Sequence, residues 1–220
     1  MQNDISVIMP CHYKHYHFLD KLLGYYNIQT LLPKEIIIVL SESEKINENE
    51  INKLDKNYNF QLIIIKKTGI SNAGNSRYIG AIEATSSIIV FQDVDDLPHI
   101  QRLECVNYYF NKYPNINHIC HSYSRRTLYG KYNINNIPIE IINYNIFNDA
   151  NKMERYKLTN GNISIRKEVL FNVEWIRDKL RGQDVALNKN IYKVYKIFLM
   201  IKVPLYIYRQ EYTTKFLVKK

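Results

Sequence analysis

Four short apolar runs punctuate the first hundred residues. Residues 4–10 (DISVIMP), 35–40 (EIIIVL), 60–65 (FQLIII) and 88–91 (IIVF) are bounded by polar residues and rich in β-branched side chains, which predicts buried strands. Between the first two runs, Phe18, Leu22, Leu23, Tyr26 and Leu31 recur at helical spacing over 18–31, and Pro33 ends that helix. A polar, acidic stretch carries a weaker helix over 46–54. Residues 71–84 form a helix behind a glycine-containing loop. Strands alternating with helices at this spacing predict an α/β fold with a mostly parallel central sheet and helices on both faces. Past Tyr113-Pro114 the texture changes. Residues 116–123 (INHICHSY) and 161–165 (GNISI) read as strands, 182–194 as a helix and 203–208 as a last strand. Residues 124–157 are rich in Asn and Tyr and read as short strands and loops. No repeat, linker or second boundary interrupts the chain, so 1–220 reads as a single domain with a nucleotide-binding front half (1–114) and an irregular back half (115–220).

Composition narrows the class. The chain has 220 residues, 46% apolar and 23% charged, ordinary for a globular domain with a real core. The net charge of +9 suits nucleic acid, an anionic membrane surface or a phosphate-bearing substrate. The cations come as scattered pairs (Lys66-Lys67, Arg125-Arg126, Lys219-Lys220), not as a stripe interleaved with aromatics, so nucleic acid is not the expected partner. Cys11, Cys105 and Cys120 are an odd, sparse set and point to a reducing compartment. No cationic leader is evident, and the longest apolar stretches, such as 197–201, are too short to span a bilayer. The expectation is a soluble, cytoplasmic protein, with peripheral membrane contact left open.

The chemistry concentrates where the fourth run ends. Ile88-Ile89-Val90-Phe91 gives way to Asp93, Asp95 and Asp96, with Pro98 behind and a helix expected to start there. Acids at the carboxyl end of a central strand lie where open α/β sheets place their ligands. Carboxylates at i and i+2 in a turn can face a hard divalent cation that itself holds a diphosphate. The plainer alternative is that Asp95 and Asp96 cap the next helix.

ISVIMPCHY, EIIIVLSES, TGISNAGNSRYIGAIEATSSIIVFQDVDD, NGNISIRKEVL and GQDVALN follow one another in an order that resembles the family-2 glycosyltransferases of the GT-A fold. The most specific block is 69–96, a loop, a helix with Asn75-Ser76-Arg77 and Gly80, then the strand and its acids. The resemblance implies transfer of a hexose from a nucleotide sugar, UDP-linked by family habit, to an acceptor hydroxyl with inversion and with Mn²⁺ or Mg²⁺. The front half would hold the nucleotide sugar and the back half a glycan, lipid or protein acceptor. Asp93-Val94-Asp95 matches the metal motif, with Asp93 facing ribose or metal and Asp95 ligating the metal. The cation would neutralise charge on the departing diphosphate. Asp184 matches the general base, and its alternative is a helix-start acid favoured by the dipole. Gln183 stands where the family has Glu, beside the acceptor site. Pro10, Cys11 and His12 end the strand that cradles the nucleobase, with Cys11 in place of a common Thr. Ser41, or Glu42 in a shifted register, would be the base-contacting residue. Arg77 would contact the diphosphate or brace Asp93, or else be a surface Arg. Tyr78 stands where Asn is usual. Trp175 is either an acceptor stacking platform or core. Glu211 falls where some members supply a metal-binding His. His118 and His121 read as structural, and Asn162 heads a sequon expected to stay unmodified. A sugar nucleotidylyltransferase would need a Gly-rich, Arg-containing loop where Cys11-His12-Tyr13-Lys14 stands. A GT-A scaffold without activity is permitted by Ser41 and Tyr78 but not favoured by the retained Asp93, Asp95 and Asp184.

Overall fold

Apolar side chains on both faces of a strand require cover on both faces, and the chain supplies it. The computed structural model describes residues 4–54, 56–125, 136–148, 160–175, 177 and 182–208. In chain order these give β1 (Ile5–His12), α1 (Leu19–Asn27), β2 (Glu35–Ser41), α2 (Glu48–Asn52), β3 (Gln61–Lys67), α3 (Ala73–Glu83) and β4 (Ile88–Phe91). Then follow β5 (Leu97–Pro98), α4 (Arg102–Lys112), β6 (His118–Arg125), β7 (Tyr144–Phe147), β8 (Ile163–Arg166), α5 (Gln183–Tyr195) and β9 (Phe198–Tyr208). Alternate residues of β1 point to opposite faces. Ile5, Val7, Met9 and Cys11 pack with Leu19, Leu22 and Tyr26 of α1 and Leu103 and Val106 of α4. Ile8 packs with Ala81 of α3 and Leu187 and Ile191 of α5 on the other face.

One sheet runs β3-β2-β1-β4-β8-β6-β9-β5, with β7 alongside β9. β3, β2, β1 and β4 are parallel neighbours; β8 lies antiparallel between β4 and β6, and β6 and β9 are again parallel. This is the α/β architecture that the periodicity predicts. The strand order reverses at β1, which has β2 on one side and β4 on the other. A crevice opens beyond the carboxyl ends of strands at such a reversal.

Two neighbouring cations pin helices on opposite faces to β8 and its exit. Arg166 donates from its terminal nitrogen to the Phe110 carbonyl in the last turn of α4 and from Nε to the Ile116 carbonyl just beyond it, 3.0 Å each. Lys167 reaches the carbonyls of Ile82 (3.1 Å) and Ala84 at the end of α3. Both satisfy helix-end carbonyls that have no intrahelical donor.

Three boundaries differ from the expected ones. Pro98 does not start a helix. Leu97 and Pro98 pair antiparallel with Ile207 and Tyr206 of β9, the His99 N–H donates to the Leu205 carbonyl (3.0 Å), and α4 begins at Arg102. Proline is tolerated there because the strand lies at the sheet edge. α1 ends at Asn27, short of Pro33, because the Thr30 N–H leaves for the Ile100 carbonyl (3.0 Å). The last strand starts at Phe198, well before Val203. Most of 124–157 lies outside the described residues; β7 is the strand found in the remainder.

Candidate functional site

The crevice is framed from α3. Asn72 caps that helix, its side chain accepting from the Asn75 N–H at 2.9 Å. The Asn75 amide donates in turn to the Ser71 hydroxyl at 3.2 Å. One turn on, Arg77 lies on the buried face, and its guanidinium pairs with Oδ1 of Asp93 at the end of β4. The Arg77 side chain is 6% exposed and the Asp93 side chain 27%. Such a pair is short of water and strong as a charge-assisted bond. Arg77 is therefore no surface residue: it braces Asp93.

The acidic turn is held from below. Gln92 is fully buried and donates to the carbonyls of Asp93 (2.7 Å) and Asp96 (3.2 Å). Its side-chain oxygen accepts from the Tyr26 hydroxyl (2.9 Å) and from Arg102 (2.7 Å). Arg102, also fully buried, donates to the carbonyls of Phe91 (2.8 Å) and Gly161 (2.7 Å). Asp96 faces inward, 2% exposed, and accepts from the Tyr206 hydroxyl at 2.6 Å. It caps no helix. Val94 is buried in the core, so its side chain is turned away from the crevice. Asp95 is half-buried on the rim. Burial, and then the Asp95 charge, pushes the Cys11 thiol far up, while burial pulls His15 down against the opposing pull of Asp95. Asp95 is thus close to the end of β1.

At that end Pro10 is half-buried and Cys11 buried, the Cys11 thiol donating to the His12 carbonyl at 3.5 Å. His12 Nδ1 accepts from the Lys14 N–H (3.3 Å), and Nε2 lies 2.5 Å from Glu42. The Ser41 hydroxyl is engaged in the neighbouring loop. It donates to the Gly69 carbonyl (3.3 Å) and accepts from the Ser71 N–H (2.8 Å). The carboxylate at the end of β2 is Glu42. Its backbone is left-handed, φ +53°, and Lys45 and His12 hold its carboxyl below the usual range.

Beside α3 lies the start of α5. Gly182 precedes it with φ +72°, a conformation glycine adopts without strain. A Cβ on Gly74 of α3 would come within 3.2 Å of the Gln183 side-chain oxygen, so the N-termini of α3 and α5 abut. Asp184 is half-buried in the first turn of α5, where the dipole favours its charge, and its Oδ1 accepts from the Val185 N–H at 2.9 Å. Trp175 packs edge-on against Tyr78 (5.5 Å between centroids) and Phe91 (5.9 Å). Its indole N–H is buried without a hydrogen-bond partner among the described residues. His118 and His121 are fully buried, and the Asn162 amide donates to the His121 carbonyl at 3.0 Å. Glu211 lies outside the described residues.

Asp95 and Asp93 present carboxylate oxygens, the donors a hard cation takes. Among the described residues no three His, Cys, Asp or Glu side chains gather to hold an ion unaided. One or two carboxylates completed by substrate phosphates and water is the habit of Mg²⁺, so the donor set fits that use. Tyr206, Gln92 and Arg102 were not found from the sequence. The signals present were a buried amide straight after a core strand and a phenol inside an apolar one.

The model of Glycosyl transferase family 2 matches residues 6–176. Among solved structures, the 1–349 fragment of S. aureus TarS superposes with a TM-score of 0.72 at 16% identity, covering 94% of this chain and 60% of that one. The same fragment in complex with UDP-GlcNAc gives 0.71 at 16%, covering 94% and 58%. A mycobacterial protein gives 0.62 at 14%, covering 94% and 68%. At these identities the likeness speaks to the fold, and the chain spans about 60% of the TarS fragment's length. No curated protein matches the sequence. The family match begins in β1 and runs past β8, through every strand end that frames the crevice, and the chain accordingly belongs to glycosyltransferase family 2.

Proposed function

We propose that this chain transfers a sugar from a nucleotide sugar, UDP-linked in the first instance, to a hydroxyl on a glycan, lipid or protein. The observation that carries the reading is Asp93, fixed by Arg77 at the carboxyl end of β4 beside the strand-order reversal, with Asp95 on the rim two residues on. The front half, 1–114, holds the donor. The ends of β1 and β2 take the base, with Glu42 as the acid there, and Asp93 takes the ribose side. Asp95, with Asp93, would hold Mn²⁺ or Mg²⁺, and the bound ion would supply positive charge toward a leaving diphosphate. The back half, 115–220, takes the acceptor. Asp184 accepts the proton of the attacking hydroxyl, and in-line attack from the side opposite the diphosphate inverts the anomeric centre. Gln183 positions the start of α5 against α3. Trp175, packed edge-on against Phe91 and Tyr78 with its indole N–H buried, fits the core reading better than an acceptor stacking platform.

A thermal-shift panel of nucleotide sugars with and without Mn²⁺ tests the reading. At a hundredfold excess over Kd a donor adds about 2.7 kcal/mol, or roughly 5–10 °C for a chain of this size. Asp95→Asn should lose the cation-dependent part of the shift. Asp184→Asn should keep the shift and lose transfer. A wild-type protein that no donor stabilises would sink the proposal, and transfer by Asp184→Asn would remove the base assignment alone.

A further inference from the structure

Asp93 is held on both sides. Arg77 takes Oδ1, and the Tyr206 hydroxyl lies 3.4 Å from Oδ2. The same hydroxyl donates to Oδ2 of Asp96 at 2.6 Å. Tyr206 comes from β9, far from the acids in sequence, and reaches them because β5, just after the acidic turn, pairs with β9. The ring is 1% exposed and fixed on two sides. The Arg102 guanidinium lies over it, 5.3 Å from the centroid. Gly161 backs against it so closely that a Cβ at 161 would overlap the phenol oxygen. A lone phenol between two carboxylates, with its ring immobilised by a cation and a backbone, is a rigid strut under the acidic turn.

We propose that Tyr206 is a positioning residue: its hydroxyl, held between the Asp96 and Asp93 carboxylates, sets the orientation of Asp93 and so the affinity for a nucleoside diphosphate with its divalent cation. The inference rests on the donor-binding reading above. Arg77 alone would leave the Asp93 carboxyl free to swing about one oxygen. With its one proton donated to Asp96, the phenol oxygen stands 3.4 Å from Oδ2 of Asp93 and limits that swing by contact.

Calorimetric titration of UDP in the presence and absence of Mn²⁺ tests it on wild type, Tyr206→Phe, Asp96→Asn and the double variant, with thermal unfolding of each protein alongside. Tyr206→Phe keeps the ring, its Arg102 contact and the Gly161 packing. It should bind UDP with Mn²⁺ about tenfold more weakly, the scale of one hydrogen bond to a charged group, and remain folded. Asp96→Asn should weaken binding by a similar factor, and the double variant little further, because the two act as one strut. UDP affinity in Tyr206→Phe equal to wild type would overturn the proposal, as would losses that add in the double variant. Wild type that fails to bind UDP with Mn²⁺ would overturn the donor reading and this inference with it. A loss confined to the variants separates the two. Should Tyr206→Phe not fold, Asp96→Asn carries the test: unchanged affinity there overturns the proposal.

Discussion

Arg77 shows how one side chain ties sequence to site. It faces inward on α3, nearly all of it out of water, and Asp93 is its ionic partner. Replacing it by Met removes the cation and leaves a part-buried carboxylate. The expected cost is about 1–3 kcal/mol in urea unfolding, below the figure for a fully buried pair because Asp93 keeps some water. Donor-dependent thermal shift should also disappear. Arg77→Lys should restore part of the stability and less of the binding, since an ammonium cannot reproduce the planar fork. Unchanged stability in Arg77→Met would mean that the pair contributes nothing to the fold. Arg77 and Asp93 were both legible in the sequence because one lies on a helix and the other just past the next strand. Ser41 and Glu42 were left open as alternatives; the Ser41 hydroxyl serves the 69–71 loop, which supports the proposed use of Glu42. Tyr206 and Arg102 were not legible, because their partners are brought in by tertiary pairing alone.

At the scale of elements, α3 matters most, since it carries Arg77 and abuts α5. It packs on β1 and β2 through Gly80. A Cβ there would stand 2.5 Å from the Ile8 γ-methyl and 3.2 Å from that of Val39. Both neighbours are stiff, β-branched and fully buried, so they cannot yield easily. Gly80→Ala should therefore destabilise by about 1–3 kcal/mol despite the better helix propensity of Ala, and should weaken donor binding by moving Arg77. A more stable Gly80→Ala protein would show that the helix can lift without cost. The strands and helices of the front half were readable because each is a local pattern. β5 was not: Leu97-Pro98 resembles a helix start, and only the edge pairing with β9 makes it a strand. β9 was read too short because Lys202 breaks its apolar pattern; the pairing with β6 shifts register there too, between Ile201 and Pro204, yet one strand continues on both sides.

For the whole molecule, the buried imidazoles set a pH limit. Burial lowers His118 from 6.5 to about 4, and lowers His121 well below its ordinary value. Both are neutral when folded and take up protons when unfolded, so stability is full above pH 6.5 and falls as pH drops toward 4. Each such histidine costs about 1.4 kcal/mol per pH unit well inside that window. Melting temperature should fall steadily between pH 6.5 and 4.5, and His118→Asn should flatten the slope. A melting temperature constant across that range would mean that the folded protein admits these protons. The sheet order carries a further consequence, for the order of folding. The strand that covers the open side of β4 is β8, and it arrives only after the whole of the middle segment has been made. Until then Ile88-Ile89-Val90-Phe91 presents an apolar edge with free N–H and C=O groups, the kind of surface that captures other chains. A growing chain therefore has Asp93 and Asp95 in place before it has protection from aggregation, and a fragment ending near Tyr113 should precipitate, not bind nucleotide as an independent module.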